Sequence, residues 1–138
     1  MSEKNINSIS KLSACFFHEE KLNCAITCIK MIAHYYKSFV NTIDIMKFAP
    51  RKIGLYSFLD IITIFDKMGF YSCAFQLEHN EINKLRLPCI VYLTYGHFVV
   101  LVEIIEDKYI IHDPDIGAIE KSLEHFLDIF SGFAIIIG

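Results

Sequence analysis

The chain has 138 residues, which suits one domain. Hydrophobic residues make up 54 % of it and charged residues 21 %, with a mean hydropathy of +0.40. That balance excludes intrinsic disorder, and a net charge of −3 with a pI near 6.0 offers no electrostatic footprint for nucleic acid. Such hydrophobicity raises the question of a membrane span, but no stretch reaches the roughly 18–20 unbroken apolar residues that a spanning helix needs. Asp60 and Asp66 interrupt the run after Leu55, and Glu103 and Glu106 interrupt the run after Phe98. A soluble chain is expected. The polar start, Met1 to Asn7, lacks the apolar core of a secretory signal. The five cysteines (Cys15, Cys24, Cys28, Cys73, Cys89) are odd in number and irregular in spacing. That pattern argues for a reducing compartment with free thiols, most of them small core residues.

Asn23 through Lys37 has helical periodicity, with Ile26, Ile29, Ile32 and Ala33 on one side and Thr27, Lys30 and His34 on another. Asn23 is a suitable N-cap. Asn41-Thr42 starts a short helix over Ile43–Phe48, which Pro50 ends. After a turn at Gly54, Leu55–Met68 reads as a second long helix, closed by Gly69 at the C′ position. From there the pattern changes to strands: Tyr71–Leu77, then a short helical segment near Glu81–Leu85, then Cys89–Leu93 opened by Pro88. Gly96 precedes a strand over His97–Ile105, and Asp107-Lys108 makes the hairpin turn into Tyr109–His112. Asp113–Gly117 is a turn, Ser122 caps a helix through Phe130, and Phe133–Ile137 is the last strand. Helices first and short-looped strands second predict an α+β domain with a helical half packed on a mainly antiparallel sheet. No repeat or linker divides residues 1–138, which read as one domain; the order of residues 1–16 is left open.

Three residue types at three places suggest chemistry. Cys24 falls in the first turn of a helix, where unpaired N–H groups and the positive end of the dipole favour a thiolate. His97 is a polar ring at the head of the apolar run Phe98-Val-Val-Leu-Val. Asp113 ends the next strand, and antiparallel pairing across the hairpin brings it beside His97. Nucleophile on a helix, base on a strand and orienting acid on the neighbouring strand make a papain-like arrangement, in the chain order Cys, His, acid. Asp115 is an alternative orienting acid, separated from the strand by Pro114.

These pieces resemble the peptidase C39 family, the bacteriocin-processing peptidase domains of bacterial peptide exporters, over about Phe17 to Ile137. Asn23-Cys24-Ala25-Ile26-Thr27-Cys28-Ile29-Lys30-Met31-Ile32 is similar to the family's D-C-G-x-A-C-L-x-M-I, and Gly96-His97-Phe98-Val99-Val100-Leu101 to its x-H-F-V-V-L. Asp113-Pro114-Asp115-Ile116-Gly117, then Ser122 and Ser131-Gly132, resembles its closing motif; Gly54, Leu59 and Met68-Gly69-Phe70 fit between. The resemblance implies a papain-like cysteine protease fold, with Cys24 as nucleophile, His97 as base and Asp113 as its orienter. It further implies cleavage after the double glycine of a leader peptide and no cofactor. The implied partner is the membrane and ATPase parts of an ABC transporter, in the same or a separate chain, at the cytoplasmic face of the bacterial inner membrane.

The departures lie close to the chemistry. The family's oxyanion-hole Gln, six residues before the Cys, is His18 here, whose ring N–H would have to donate instead. Ala25 replaces a Gly and Asn23 an Asp. His18 therefore leaves a second function open, a leader-binding module that recruits a secreted substrate without cutting it. Cys24 and Cys28, four apart, with His18 or His97, also allow a zinc site. His34 and His125 are expected on exposed helix faces, His112 on the opposite strand face from Asp113, His79 in a loop, and Glu19-Glu20-Lys21 in a solvated one.

Overall fold

A computed structural model describes residues 24–49 and 56–138. The expected cap at Asn23, the stop at Pro50, the turn at Gly54 and His18 lie outside these residues. Three helices come first: α1 (Cys24–Tyr35), α2 (Thr42–Met46) and α3 (Phe58–Lys67). Strand β1 (Ser72–Gln76), a 3-10 helix (His79–Lys84), β2 (Cys89–Leu93), β3 (His97–Ile105), β4 (Lys108–Asp113), β5 (Gly117–Ser122), α4 (Leu123–Ile129) and β6 (Phe130–Ile137) follow. The strands form one six-stranded sheet in the order β1-β6-β2-β3-β4-β5, every neighbouring pair antiparallel.

Local chemistry explains the helix ends. Asn41 caps α2, its side-chain oxygen accepting from Asp44 N–H at 2.8 Å. Helix α3 starts three residues later than its periodicity suggested. Ser57 and Asp60 form a reciprocal capping box there, with Ser57 N–H donating to Asp60 Oδ2 at 2.7 Å and Asp60 N–H to Ser57 Oγ at 3.2 Å. At its other end Gly69 adopts φ +89°, Phe70 N–H reaches back to Phe65 O and Gly69 N–H to Asp66 O, a Schellman closure.

The sheet is apolar on both faces. On one, Ile90, Phe98, Val100, Val102 and Ile135 pack with Ile26, Ile29 and Ile32 of α1 and with Ile61, Ile64 and Phe65 of α3. On the other, Val91, Val99, Leu101, Tyr109 and Ile111 pack with Phe126 of α4 and Ile82 of the 3-10 helix. Helix α1 touches β2, β3, α2 and α3, so it is enclosed nearly all round. Thr27, expected on its polar side, is buried for that reason.

Three expectations are corrected. Strand β5 occupies residues read as a turn and a loop; as an edge strand with Ala118, Glu120 and Ser122 exposed, it shows only a faint alternation. The β3–β4 turn is Glu106-Asp107, one residue earlier than read, with Glu106 at φ 59°. His34 is half-buried, its Nε2 3.0 Å from Val40 O, so it secures the exit of α1 instead of facing water.

Phe65, 1 % exposed at the centre of the helix-side core and edge-on to Phe70, tests how much this layer contributes. Phe65→Ala should lower unfolding free energy by about 3–5 kcal/mol in denaturant titration.

Candidate active site

The three residues singled out by type and placement converge. Cys24 is the first residue of α1, and the packing of α1 on β3 carries it to the head of that strand. His97 opens β3 opposite Leu93 of β2, after the turn Thr94-Tyr95-Gly96. Gly96 makes this turn possible: it holds φ +79°, a conformation that side chains disfavour, while its N–H donates to Leu93 O at 2.9 Å. Asp113 closes β4, and because His112 pairs with Val100, the next residue lies beside the start of β3.

His97 Nε2 and Asp113 Oδ1 are 2.7 Å apart, both side chains at least nine-tenths buried. The same carboxylate oxygen accepts the N–H of Asp115 at 2.8 Å, and the N–H of Ile116 also supports the carboxylate, so one group both shapes the β4–β5 turn and orients the imidazole. Cys24 is the other side chain that acts on His97, by hydrogen bonding and by charge. With Nε2 committed to Asp113, Nδ1 is the nitrogen left to serve the sulfur.

The electrostatics follow. Burial by itself lowers the His97 pKa, but the bonds to Asp113 and Cys24 outweigh it and raise the value from 6.5 to about 10. Burial likewise pushes Asp113 up, and the His97 bond with the two backbone N–H groups more than reverses it, leaving Asp113 below its ordinary value of 3.8. At neutral pH the arrangement is an imidazolium between a carboxylate and the Cys24 sulfur. It can transfer a proton at Nδ1 while its orientation stays fixed at Nε2.

Other candidates fall elsewhere. Asp115 Oδ2 stands 3.5 Å from His97 Nε2, with its side chain half exposed, behind Asp113 in the role of orienter. Cys28 is fully buried in the core, and among the described residues Cys24, Cys28 and His97 do not gather into a metal-binding set; His97, Asp113 and Asp115 do, within 4.8 Å. His112 is buried opposite Val100 on the helix side. His79 opens the 3-10 helix and is exposed, as is His125. His18 lies outside the described residues. Burial pushes the Cys89 thiol up to about 12, which makes it chemically inert.

Tyr95 was not singled out from the sequence. Its ring stacks on His97, centroids 5.9 Å apart and planes 21° from parallel, and its place two residues before the histidine was the only signal.

Residues 14–138 match the Peptidase C39 family. The chain belongs to that family. It is 32 % identical over 120 residues to the colicin V secretion/processing ATP-binding protein CvaB of Escherichia coli, covering 84 % of this chain and 17 % of that protein. It is 29 % identical over 131 residues to the sublancin-168-processing and transport ATP-binding protein SunT of Bacillus subtilis (strain 168), covering 87 % of this chain and 18 % of that one. The chain thus spans less than a fifth of the length of these relatives. Among solved structures it is similar to a double glycine motif protease from an AMS/PCAT transporter, crystallised with the leader peptide. There the TM-score is 0.86 at 23 % identity, over 92 % of this chain and 91 % of that one. The peptidase domain of Streptococcus ComA gives 0.82 at 20 % identity, over 92 % and 98 %. This C39 chain therefore shares their papain-like fold. No helix among its described residues is long and apolar enough to cross a membrane.

The raised His97 value gives a signed expectation. Its contribution to stability is complete below about 6.5 and fades as pH rises through about 10; that of Asp113 is present above about 3.8 and fades on acidification. Asp113→Asn should bring the His97 titration down from about 10 towards 6.5, read from imidazole NMR shifts. The stability deficit of the variant should shrink between pH 6.5 and 10.

Proposed function

We propose that this C39 chain is an active cysteine peptidase that removes double-glycine leaders from ribosomally made peptides, and that Cys24, His97 and Asp113 carry the reaction. The observation that supports it best is the buried His97–Asp113 hydrogen bond beside Cys24, the first residue of a helix, whose sulfur also acts on the His97 imidazole. The relatives' roles, secretion and processing of colicin V and processing and transport of sublancin-168, point the same way.

In this reading the Cys24 thiolate attacks the carbonyl carbon of the final leader glycine. The oxyanion that forms lies against N–H groups at the start of α1. His18 supplies a further donor in place of the usual amide. The His97 imidazolium passes its Nδ1 proton to the departing amine, which leaves the thioester and releases the mature peptide. Water then enters; His97, now neutral, takes its proton, and the leader leaves with a new carboxylate. Asp113 keeps the ring in place throughout. Glycine is selected by a cleft too narrow for side chains, and the leader's helical part lays apolar anchors along a groove of the same chain. The chain works as one peptidase domain beside the membrane and ATPase parts of an exporter, at the cytoplasmic face of the membrane.

Cys24→Ala should abolish cleavage of a double-glycine precursor while its affinity, measured by calorimetry, stays within about twofold of the parent. A precursor whose last leader residue is valine should bind and remain uncut. Normal turnover in the alanine variant would remove Cys24 from the reaction.

His18 separates the enzyme from the binding module. His18→Ala should lower turnover by about 10²-fold at little change in affinity, and His18→Gln should match or exceed the parent. Equal rates in all three proteins would make the hole a backbone one. A parent that binds the leader without cutting it would assign the chain to recruitment instead.

A further inference from the structure

The residue that follows the scissile bond has its position dictated by the proton it must receive. The departing nitrogen belongs to that residue, and general acid catalysis needs it within about 3 Å of His97 Nδ1. Whatever the substrate, the first residue of the released peptide lies against the imidazole and its exposed neighbours. Asp113 holds one ring nitrogen, Nε2, and Cys24 is the other partner acting on the ring. Over one face of it lies the Tyr95 ring, at 5.9 Å between centroids, and 63 % of Tyr95 remains exposed. The half-exposed carboxylate of Asp115 stands 3.5 Å from Nε2. An open aromatic surface therefore lies over the imidazole that meets the departing amine, with two carboxylates on the Nε2 side of the same ring.

We propose that Tyr95 is the wall, and Asp115 the charged rim, of the subsite for the residue immediately after the cut, selecting an apolar first residue over an acidic one. The proposal rests on the peptidase reading above. The ring offers its exposed surface to an apolar side chain. Asp115 and Asp113, whose charges reach the Tyr95 phenol, repel a carboxylate laid against that ring. The Tyr95 phenol registers this surrounding: burial first, and then the charges of Asp113 and Asp115, push its pKa above the ordinary 10.0. Its exposure allows truncation of Tyr95 without opening the core.

The test uses three precursor peptides with one leader and Phe, Gly or Asp directly after the double glycine, cut by the parent, Tyr95→Ala, Tyr95→Phe and Asp115→Asn. The parent should favour Phe over Asp by about tenfold or more in kcat/KM, the lower range for one apolar contact in a pocket. Tyr95→Ala should reduce the Phe precursor to the level of the Gly one, and Tyr95→Phe should keep the parent order. Asp115→Asn should raise the Asp precursor relative to Gly. Thermal melting checks that each variant is folded. Equal kcat/KM for the three precursors in the parent, or an unchanged Phe preference in Tyr95→Ala, would overturn the subsite and leave the peptidase reading standing. Failure of the folded parent to cut any of the three would overturn both.

Discussion

The hydrogen bond between His97 and Asp113 is the constraint around which the rest is arranged. It joins side chains sixteen residues apart and at least nine-tenths buried. A charged pair in such a place loses most of its hydration, and its mutual attraction offsets that loss only when the remaining lone pairs are also satisfied. Asp113 meets the condition through the N–H groups of Asp115 and Ile116. The turn after β4 thus has two roles: it reverses the chain into β5, and it makes a buried carboxylate tolerable. Strand β5 looks peripheral, but its pairing of Gly117 with Asp113 closes that turn.

The helical half meets the same requirement from the other side. A sulfur can lie at the imidazole only if α1 is held by its flanks, and α1 is enclosed by β2, β3, α2 and α3. Its sequence reflects this, being apolar over most of its circumference rather than along one stripe. The capping box of α3 and the Schellman closure at Gly69 fix the length of the helix that packs beside it. High hydrophobicity in a short chain also has its account here. A sheet covered on both faces needs two cores, and 54 % apolar residues supply them.

The chain matches the C39 family across residues 14–138. The physical reading rests on what each position allows: a helix start for a thiolate, a glycine turn for a strand-opening histidine, and a strand end for an acid. The papain-like likeness to structures only 20–23 % identical indicates that the fold tolerates wide sequence change.

Much was legible in the sequence because the signals were local. Helix periodicity, Asn41 and Gly69 as terminators, and the apolar run after His97 all act within a few residues of where they are written. So did the placement of Cys24, His97 and Asp113 at the ends of their elements. Edge strand β5 was not legible, since half of it faces water and its pairing partner decides it. Nor was the half-burial of His34, which depends on a carbonyl six residues away after the chain turns. Only the tertiary structure decided which ring nitrogen Asp113 holds, how close Asp115 comes, and that Tyr95 stacks on the imidazole. Each is a distance between groups on different turns and strands, set by sheet register and α1 packing, and no local propensity encodes it.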